Sequence, residues 1–430
     1  MKRTLLAGML ALLMCFGVLS FAGCGGDPEQ LETVRIIAHS EMEDVLEPFF
    51  QKFMAENEDI RIEVLYGVDQ LDQMDTQYPP DLLFIGNVQL DSIAHYFVDL
   101  NPLMEDYFGG EAEAQAFMDT FLTGTAESLV RDGKQLVLPV NANVSLLYYN
   151  EDLFDAEELA YPTNDWTLSD FVENGKKLTK QEDGRYTQWG ASTTQGWWGE
   201  YLIYARLFGG DFYDASGNLA LNTPAFKQGI QFFKDKAEGP DKFAPNPGST
   251  AVGQGDLGGF ASRRTAMELG GHTGNWPSYN ALDNFNWNVA MIPASNSNPD
   301  GIGAELAVEG YGIYTGALNK EKAFRVLMYM FSEEGQYAFG SLGRLVPTTT
   351  YRDHVLATPY EERSNPKNME AVFAQMERSA VLPTDPNFQA VAGAPVYNTI
   401  ATFLNGGYAD VDAWAEAATK AAEDYLATVS

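Results

Sequence analysis

The sequence predicts an α/β fold in which strands and helices alternate along the chain from residue 34 onward. Three observations carry that expectation. Short β-branched runs recur along the chain, apolar residues between them repeat at helical spacing, and Gly-, Asn- and Asp-bearing turns separate the two patterns. The length, 430 residues, suits two or three domains or two large lobes. A composition of 45% hydrophobic and 20% charged residues excludes a fibrous or mostly disordered chain.

The elements follow in order. Val34–Ala38 reads as the first strand, and His39–Met42 as a loop. Val45, Leu46, Phe49, Phe50 and Phe53 then mark a helix, with Pro48 placed near its first turn. Ile60–Tyr66 alternates as a strand, and Asp81–Ile85 is another, ending in Gly86-Asn87. Arg131–Lys134 is a turn, after which Gln135–Val140 extends, and Ser145–Tyr149 is read as a separate strand closed by Asn150. Thr167 caps a helix carrying Leu168, Phe171, Val172, Gly175 and Leu178 on one face. Asp183-Gly184 is a turn, and Tyr201–Leu207 and Phe226–Phe233 are helices separated by the Asp214–Asn218 turn. Pro240–Gly259 is a loop rich in Gly and Pro. Thr265–Leu269 is a strand ending at Gly270-Gly271, Trp287–Ile292 another, and Ala294–Gly303 a loop. Glu309–Thr315 is a strand, Lys320–Phe331 a helix, and the run from Val411 to Leu426 a final helix.

Charge narrows the partners. Sixty acids against 27 bases give a formal net charge of −33. Such a surface repels phosphate backbones, which argues against nucleic acid, and it repels anionic lipid headgroups. The N-terminus supplies a different route to a membrane. Lys2 and Arg3 precede an uncharged apolar run, Thr4–Phe21, that ends in Ala22-Gly23-Cys24. This reads as an export signal rather than a spanning helix, being short and lacking a charged stop. Phe21-Ala22-Gly23-Cys24 resembles a bacterial lipobox, with Phe in place of the usual Leu. Residues 1–23 are then the signal peptide, and 24–33 a tether lipidated on Cys24. The only cysteines are Cys15 and Cys24, so the mature chain has no internal disulfide. Losing Lys2 and Arg3 takes the net charge to about −35.

Catalytic and metal signatures are absent from the sequence. The four histidines, His39, His95, His272 and His354, show no zinc-ligand spacing, and no metal or cofactor is expected. There is no G-x-S-x-G elbow, Walker A sequence or dinucleotide fingerprint. Asp211, Asp214, Ser216 and Asn218 fail the calcium-loop spacing and read as a turn.

Several segments, in order, resemble family 1 of the bacterial extracellular solute-binding proteins, the maltose-binding-protein-like receptors of ABC importers. Asp132-Gly-Lys-Gln-Leu-Val-Leu-Pro139, leading to Leu146-Leu-Tyr-Tyr-Asn-Glu-Asp-Leu-Phe154, is similar to the family's DGK…P…LYYNKDLF stretch. Trp166–Thr179 resembles its TW…AKKLT helix, Arg264–Gly271 its GKAAM strand and loop, and Trp287–Pro293 a strand closed by proline. Glu309–Tyr314, Asn319–Phe331 and Gly343–Pro347 resemble the closing GYAIS…G-x-x-P block. The resemblance implies a two-lobed type II binding-protein fold, each lobe a mixed sheet between helices, with ligand held between lobes that close on it. It places lobe 1 at 34–140 with 306–345 and lobe 2 at 141–305 with 346–430. Crossings fall near Pro139–Asn141, Gly303–Glu309 and Arg344–Thr348.

Candidate ligand contacts follow from residue chemistry and from this likeness. Glu41 follows the first strand and Asn87 the third, and both suit sugar hydroxyls. Asn143 falls where the family often places a polar contact. Trp197 and Trp198 are adjacent, so both cannot face one core. Gly271 and His272 follow a strand, with glycine permitting close approach. Trp276 offers a stacking face, three residues later than the family places it. Glu309 and Tyr311 open the closing block. Arg344 is expected to pair with acids. The expected function is a surface lipoprotein, monomeric, that hands a carbohydrate to the permease subunits of an ABC importer without catalysis. The alternatives are a cell-surface glycoside hydrolase or lyase, and a binding protein for a polyamine, peptide or metal chelate.

Overall fold

The computed structural model describes residues 32–429 except 75, 194–198, 247–258, 300–302, 304, 384 and 386. Cys24 and the leader, and the Trp197-Trp198 pair, lie outside the described residues.

The first half begins with β1 (Thr33–Ala38), α1 (Glu43–Glu56) and β2 (Arg61–Tyr66). β1 and β2 are parallel along their whole length, from Thr33 opposite Arg61 to Ala38 opposite Tyr66. α1 crosses between them and buries Leu46, Phe49, Phe50 and Phe53, the i, i+3, i+4, i+7 face that its sequence specifies. Pro48 stands inside the helix rather than in its first turn, where its missing N–H removes one intrahelical bond. β3 (Leu82–Gly86) joins β1 in parallel and leads directly into α2 (Asn87–Ile93), so Asn87 opens a helix rather than a turn. Asp132 and Gly133, both at positive φ, form the hairpin turn between residues 130–131 and 134–135.

β4 (Leu138–Asn150) is a single strand of 13 residues where the sequence suggests two. Pro139 and the polar Asn141 and Asn143 interrupt the apolar run without interrupting the backbone. Pro139 lies opposite Gly310, at a bulge, where its missing N–H costs no regular ladder bond.

The second half contains α3 (Leu168–Lys177), β5 (Lys180–Glu182), β6 (Arg185–Ala191), α4 (Gly199–Leu207), α5 (Pro224–Asp235), β7 (Thr265–His272), α6 (Trp276–Asn280) and β8 (Trp287–Ala290). Thr167 caps α3: its hydroxyl accepts the Asp170 N–H while Asp170 accepts the Thr167 N–H, a reciprocal capping box. β7 runs three residues beyond Leu269 because Gly270, at φ 86°, is absorbed as a bulge opposite the Leu146/Leu147 step.

β9 (Glu305–Ile313) starts four residues before the Glu309 expected from sequence. α7 (Lys320–Met330) and α8 (Glu333–Ser341) then return to the first half, where Tyr329 stacks on Phe49 with ring centroids 4.6 Å apart. α9 (Thr349–Ala357), α10 (Met369–Glu377), α11 (Tyr397–Leu404) and α12 (Val411–Val429) complete the chain. On α12, Trp414 is fully buried and stacks on Phe226 of α5.

Two strands join the halves. The Leu138–Val144 part of β4 pairs antiparallel with β9, which pairs on its other edge with β3. The Ser145–Asn150 part pairs instead with β7 and β8. The strand path is therefore continuous, β2-β1-β3-β9-β4-β7-β6-β5, with β8 also on β4. A third pass of the chain touches the same place, where the Ala142 N–H donates to the Leu345 carbonyl at 2.8 Å. Among the described residues no helix is long and apolar enough to cross a membrane.

Candidate functional site

A cleft of about 500 Å³ lies over this junction. Its first wall is the β3–α2 corner, Gly86 to Gln89; its floor is Asn143 of β4 with Ala307 and Glu309 of β9; its second wall includes Glu200, Glu268, Gly270, His272, Asn275, Leu382 and Gln389. A second depression of about 370 Å³, lined by His39, Gln70 and Phe84, shares Gly86, Gln89 and Glu309 with it and extends it over the first half. A larger cavity, about 870 Å³, is a groove between α3 and α5 on the second half. It touches neither crossing strand, so it is not the place where a ligand would bridge the two halves.

The floor is a hydrogen-bonded set of groups far apart in sequence. Glu309 Oε2 accepts from Asn141 Nδ2 at 2.6 Å, from Arg344 at 3.2 Å and, more weakly, from Asn143 Nδ2 at 3.4 Å. Asn143 Oδ1 accepts from the Thr273 hydroxyl at 3.2 Å, which links β4 to the end of β7. Arg344 also donates to Glu41 Oε1 at 3.0 Å, so its guanidinium is divided between two carboxylates. On the first wall, Asn87 is fully buried, and its Oδ1 accepts the Val308 N–H at 3.0 Å. Its Nδ2 has no partner among the described residues. A buried amide donor left unpaired costs about 1–3 kcal/mol, so a ligand oxygen that accepts from it gains that much.

The second wall is backed by buried charge. Glu268 Oε2 accepts from the Tyr279 hydroxyl at 2.6 Å. Behind it, Lys236 is fully buried; its Nζ donates to the Ser192 carbonyl at 2.9 Å and to the Tyr204 hydroxyl. Burial pushes the Lys236 ammonium down to about 7, opposed by Glu200 and Glu268. Burial pushes Glu268 up, opposed by the Tyr279 hydrogen bond and by Lys236. Beside them His272 Nδ1 accepts the Gly274 N–H at 3.2 Å, and its Nε2 lies 3.5 Å from Glu305 Oε1. Burial, then the Arg344 charge, pushes the imidazole down to about 4; burial pushes Glu305 up to about 8. At neutral pH these two meet as neutral groups, not as an ion pair.

Of the residues singled out from sequence, the fold brings Asn87, Asn143, His272 and Glu309 together in this cleft. Glu41 is exposed and reaches the floor through Arg344. Gly271 packs on the Tyr148 ring, where an added Cβ would meet Cδ2 at 2.4 Å, and its neighbour Gly270 lines the cleft instead. The Trp276 indole is buried and donates to the Tyr148 hydroxyl at 2.6 Å; it lines a separate groove with Arg344 and Tyr351. Tyr311 is fully buried, near Phe84 and Phe339. β9 keeps an unbroken register with β3 from Glu309 to Ile313, so Tyr311 lies on the same face as Glu309 but is covered rather than open to the cleft. Gln89, Glu200, Glu268, Asn275 and Gln389 were not singled out. An acid within the apolar run Thr265–Leu269 was the available signal for Glu268. Asp214 satisfies the Ser216 and Asn218 N–H groups of its own turn, and among the described residues no cluster of His, Cys, Asp and Glu is placed to hold a metal ion.

The profile of the bacterial extracellular solute-binding proteins matches residues 39–337. A binding protein of Brucella abortus is 25% identical over 56% of this chain and 55% of its own length, so the chain spans about half the length of that curated relative. An ABC substrate-binding protein from Listeria monocytogenes, in complex with cycloalternan, superposes with a TM-score of 0.74 at 19% identity, covering 92% of this chain and 99% of that one. A cyclic α-maltosyl-1,6-maltose binding protein from Arthrobacter globiformis gives 0.72 at 19% identity over 92% and 99%. At such identities these two structures establish the fold, the two-lobed type II binding-protein architecture. With the profile spanning well over half of its residues, the chain belongs to the bacterial extracellular solute-binding protein family.

Proposed function

We propose that this chain captures a sugar or oligosaccharide in the cleft over β4 and β9 and presents it to the permease subunits of an ABC importer. The observation that carries the reading is the cleft floor, where Asn143 and Glu309 on the crossing strands meet the unpaired Asn87 amide. Hydroxyl groups both donate and accept, and this mixture of amide donors and carboxylate acceptors suits them. The Listeria monocytogenes protein whose fold it resembles was solved in complex with cycloalternan, which supports the same ligand class. In this reading the lobes, 34–140 with 306–345 and 141–305 with 346–430, pivot where Ala142, Val308 and Leu345 meet. A ligand that contacts both shifts the open–closed equilibrium by its differential affinity alone. The chain acts as a monomer and performs no chemistry on its cargo. It is held at the outer face of the membrane by lipid on Cys24 after removal of residues 1–23.

A thermal-shift screen of oligosaccharides tests the binding reading, because a ligand for the native state raises apparent stability by RT ln(1 + [L]/Kd). A shift with at least one oligosaccharide, recovered intact after long incubation, is the expected result. Cleavage of the sugar would move the reading to a glycoside hydrolase. A Cys24→Ser chain should leave the membrane fraction; retention there would remove the anchor.

A further inference from the structure

We propose that the cleft selects its cargo by charge, taking uncharged glycans and rejecting those that carry a carboxylate, sulfate or phosphate. The inference rests on the glycan reading above and narrows it. Three carboxylate residues, Glu200, Glu268 and Glu309, line the cleft, and among its described lining residues there is no Lys or Arg. The cations near it among the described residues are already committed: Arg131, which donates to the Asn87 carbonyl, pairs with Asp91, and Arg206, whose charge reaches Glu305, pairs with Asp211. Arg344 is shared between Glu41 and Glu309, and Lys236 lies behind the wall, facing Glu200 and Glu268. Each of these last two cations thus answers two carboxylates, so neither is left free to hold an anion. The internal residues outside the described ones (75, 194–198, 247–258, 300–302, 304, 384 and 386) include no Lys or Arg, so none of them can supply the missing positive charge.

The Asn87 amide sharpens the choice. Its side chain is fully buried, lines the cleft and offers an unpaired N–H donor. A hydroxyl can accept from Asn87 while donating to a carboxylate. An anion can accept from Asn87 but gives nothing to the three acids, and it is repelled by them across a medium of low effective dielectric. An ammonium group suits the acids but leaves Asn87 unpaired. The neutral hydroxyl is the group that satisfies both walls.

The test uses matched pairs: gluco-, manno- and arabino-trisaccharides, each beside a counterpart with one uronate carboxyl, titrated by calorimetry into the whole mature chain at low salt. For each neutral trisaccharide that binds, the acidic partner should bind at least tenfold more weakly. Raising the salt toward 0.5 M should narrow the gap, since the Debye length falls from about 10 Å at 0.1 M. Glu200→Gln and Glu309→Gln, made separately so that one folding failure does not decide the matter, should each narrow it further. Equal affinity within a pair overturns charge selection and leaves the glycan reading standing. Tighter binding of an acidic member likewise overturns it. A panel in which no member binds removes the glycan reading and this inference with it.

Discussion

Replacing Lys236 with methionine removes the positive charge behind the second wall while keeping a side chain of similar length. Lys236 is fully buried, bonded to the Ser192 carbonyl and the Tyr204 hydroxyl, with its ammonium 4.5 and 4.7 Å from the Tyr204 and Phe233 ring centres. Its charge faces Glu200 and Glu268. Removing the ammonium leaves the buried Ser192 carbonyl without this donor, which costs about 1–3 kcal/mol, and a volume-conserving swap adds little cavity cost. Urea denaturation at pH 7, followed by tryptophan fluorescence, should show a loss of that size. Adding Glu268→Gln should return part of it, because the double variant no longer buries the Glu268 carboxylate without its cation. The pH dependence fixes the sign. Lys236 titrates near 7 when folded and near 10.4 when unfolded, so it contributes stability above 10.4 that is lost as pH falls through 7. The deficit of Lys236→Met should therefore grow from pH 7 to 9, by at most about 1.4 kcal/mol per pH unit. A deficit under about 1 kcal/mol, or one that shrinks with rising pH, would refute the reasoning.

The remaining predictions concern the junction itself. Glu305, up at about 8 when folded, contributes stability that is lost as pH rises through 8; over pH 6.5 to 8, wild type should lose about 2 kcal/mol more than Glu305→Gln in urea titrations. Equal losses would show that the carboxyl titrates normally. Gly310→Ala should cost at least about 1–3 kcal/mol in the same assay, because an added Cβ would sit 2.0 Å from the Leu138 carbonyl oxygen and force β4 and β9 apart. Wild-type stability would mean the strands are less closely apposed. Asn143→Ala should weaken sugar binding about tenfold by calorimetry while moving the urea midpoint little, given its partly exposed side chain.

The sequence carried the alternation of strand and helix well, and the junction less well. α1 and α3 were legible because their apolar residues fall on one face, and α3 also because Thr167 caps it. β4 was not legible as one strand, since Pro139, Asn141 and Asn143 look like a break. The backbone continues because Pro139 meets the bulge at Gly310 and the asparagines bond to Glu309 and Thr273. A bulge is also why Gly270 rather than Gly271 lines the cleft: the extra residue in β7 shifts its register against β4, and no local residue pattern announces it. Tyr311 lies on the Glu309 face but is buried. Asn87 and Glu309 could be found because one directly follows and the other lies in a strand that reads clearly. Glu200, Glu268 and Gln389 reach the cleft through long-range packing, which single-sequence periodicity does not encode.

The most direct measurement is a crystal structure of the mature chain with the tightest-binding oligosaccharide from the screen. Sugar density is expected between Asn87 on one side and His272 on the other, above Asn143 and Glu309. Density in the groove between α3 and α5 instead, with that cleft empty, would contradict it.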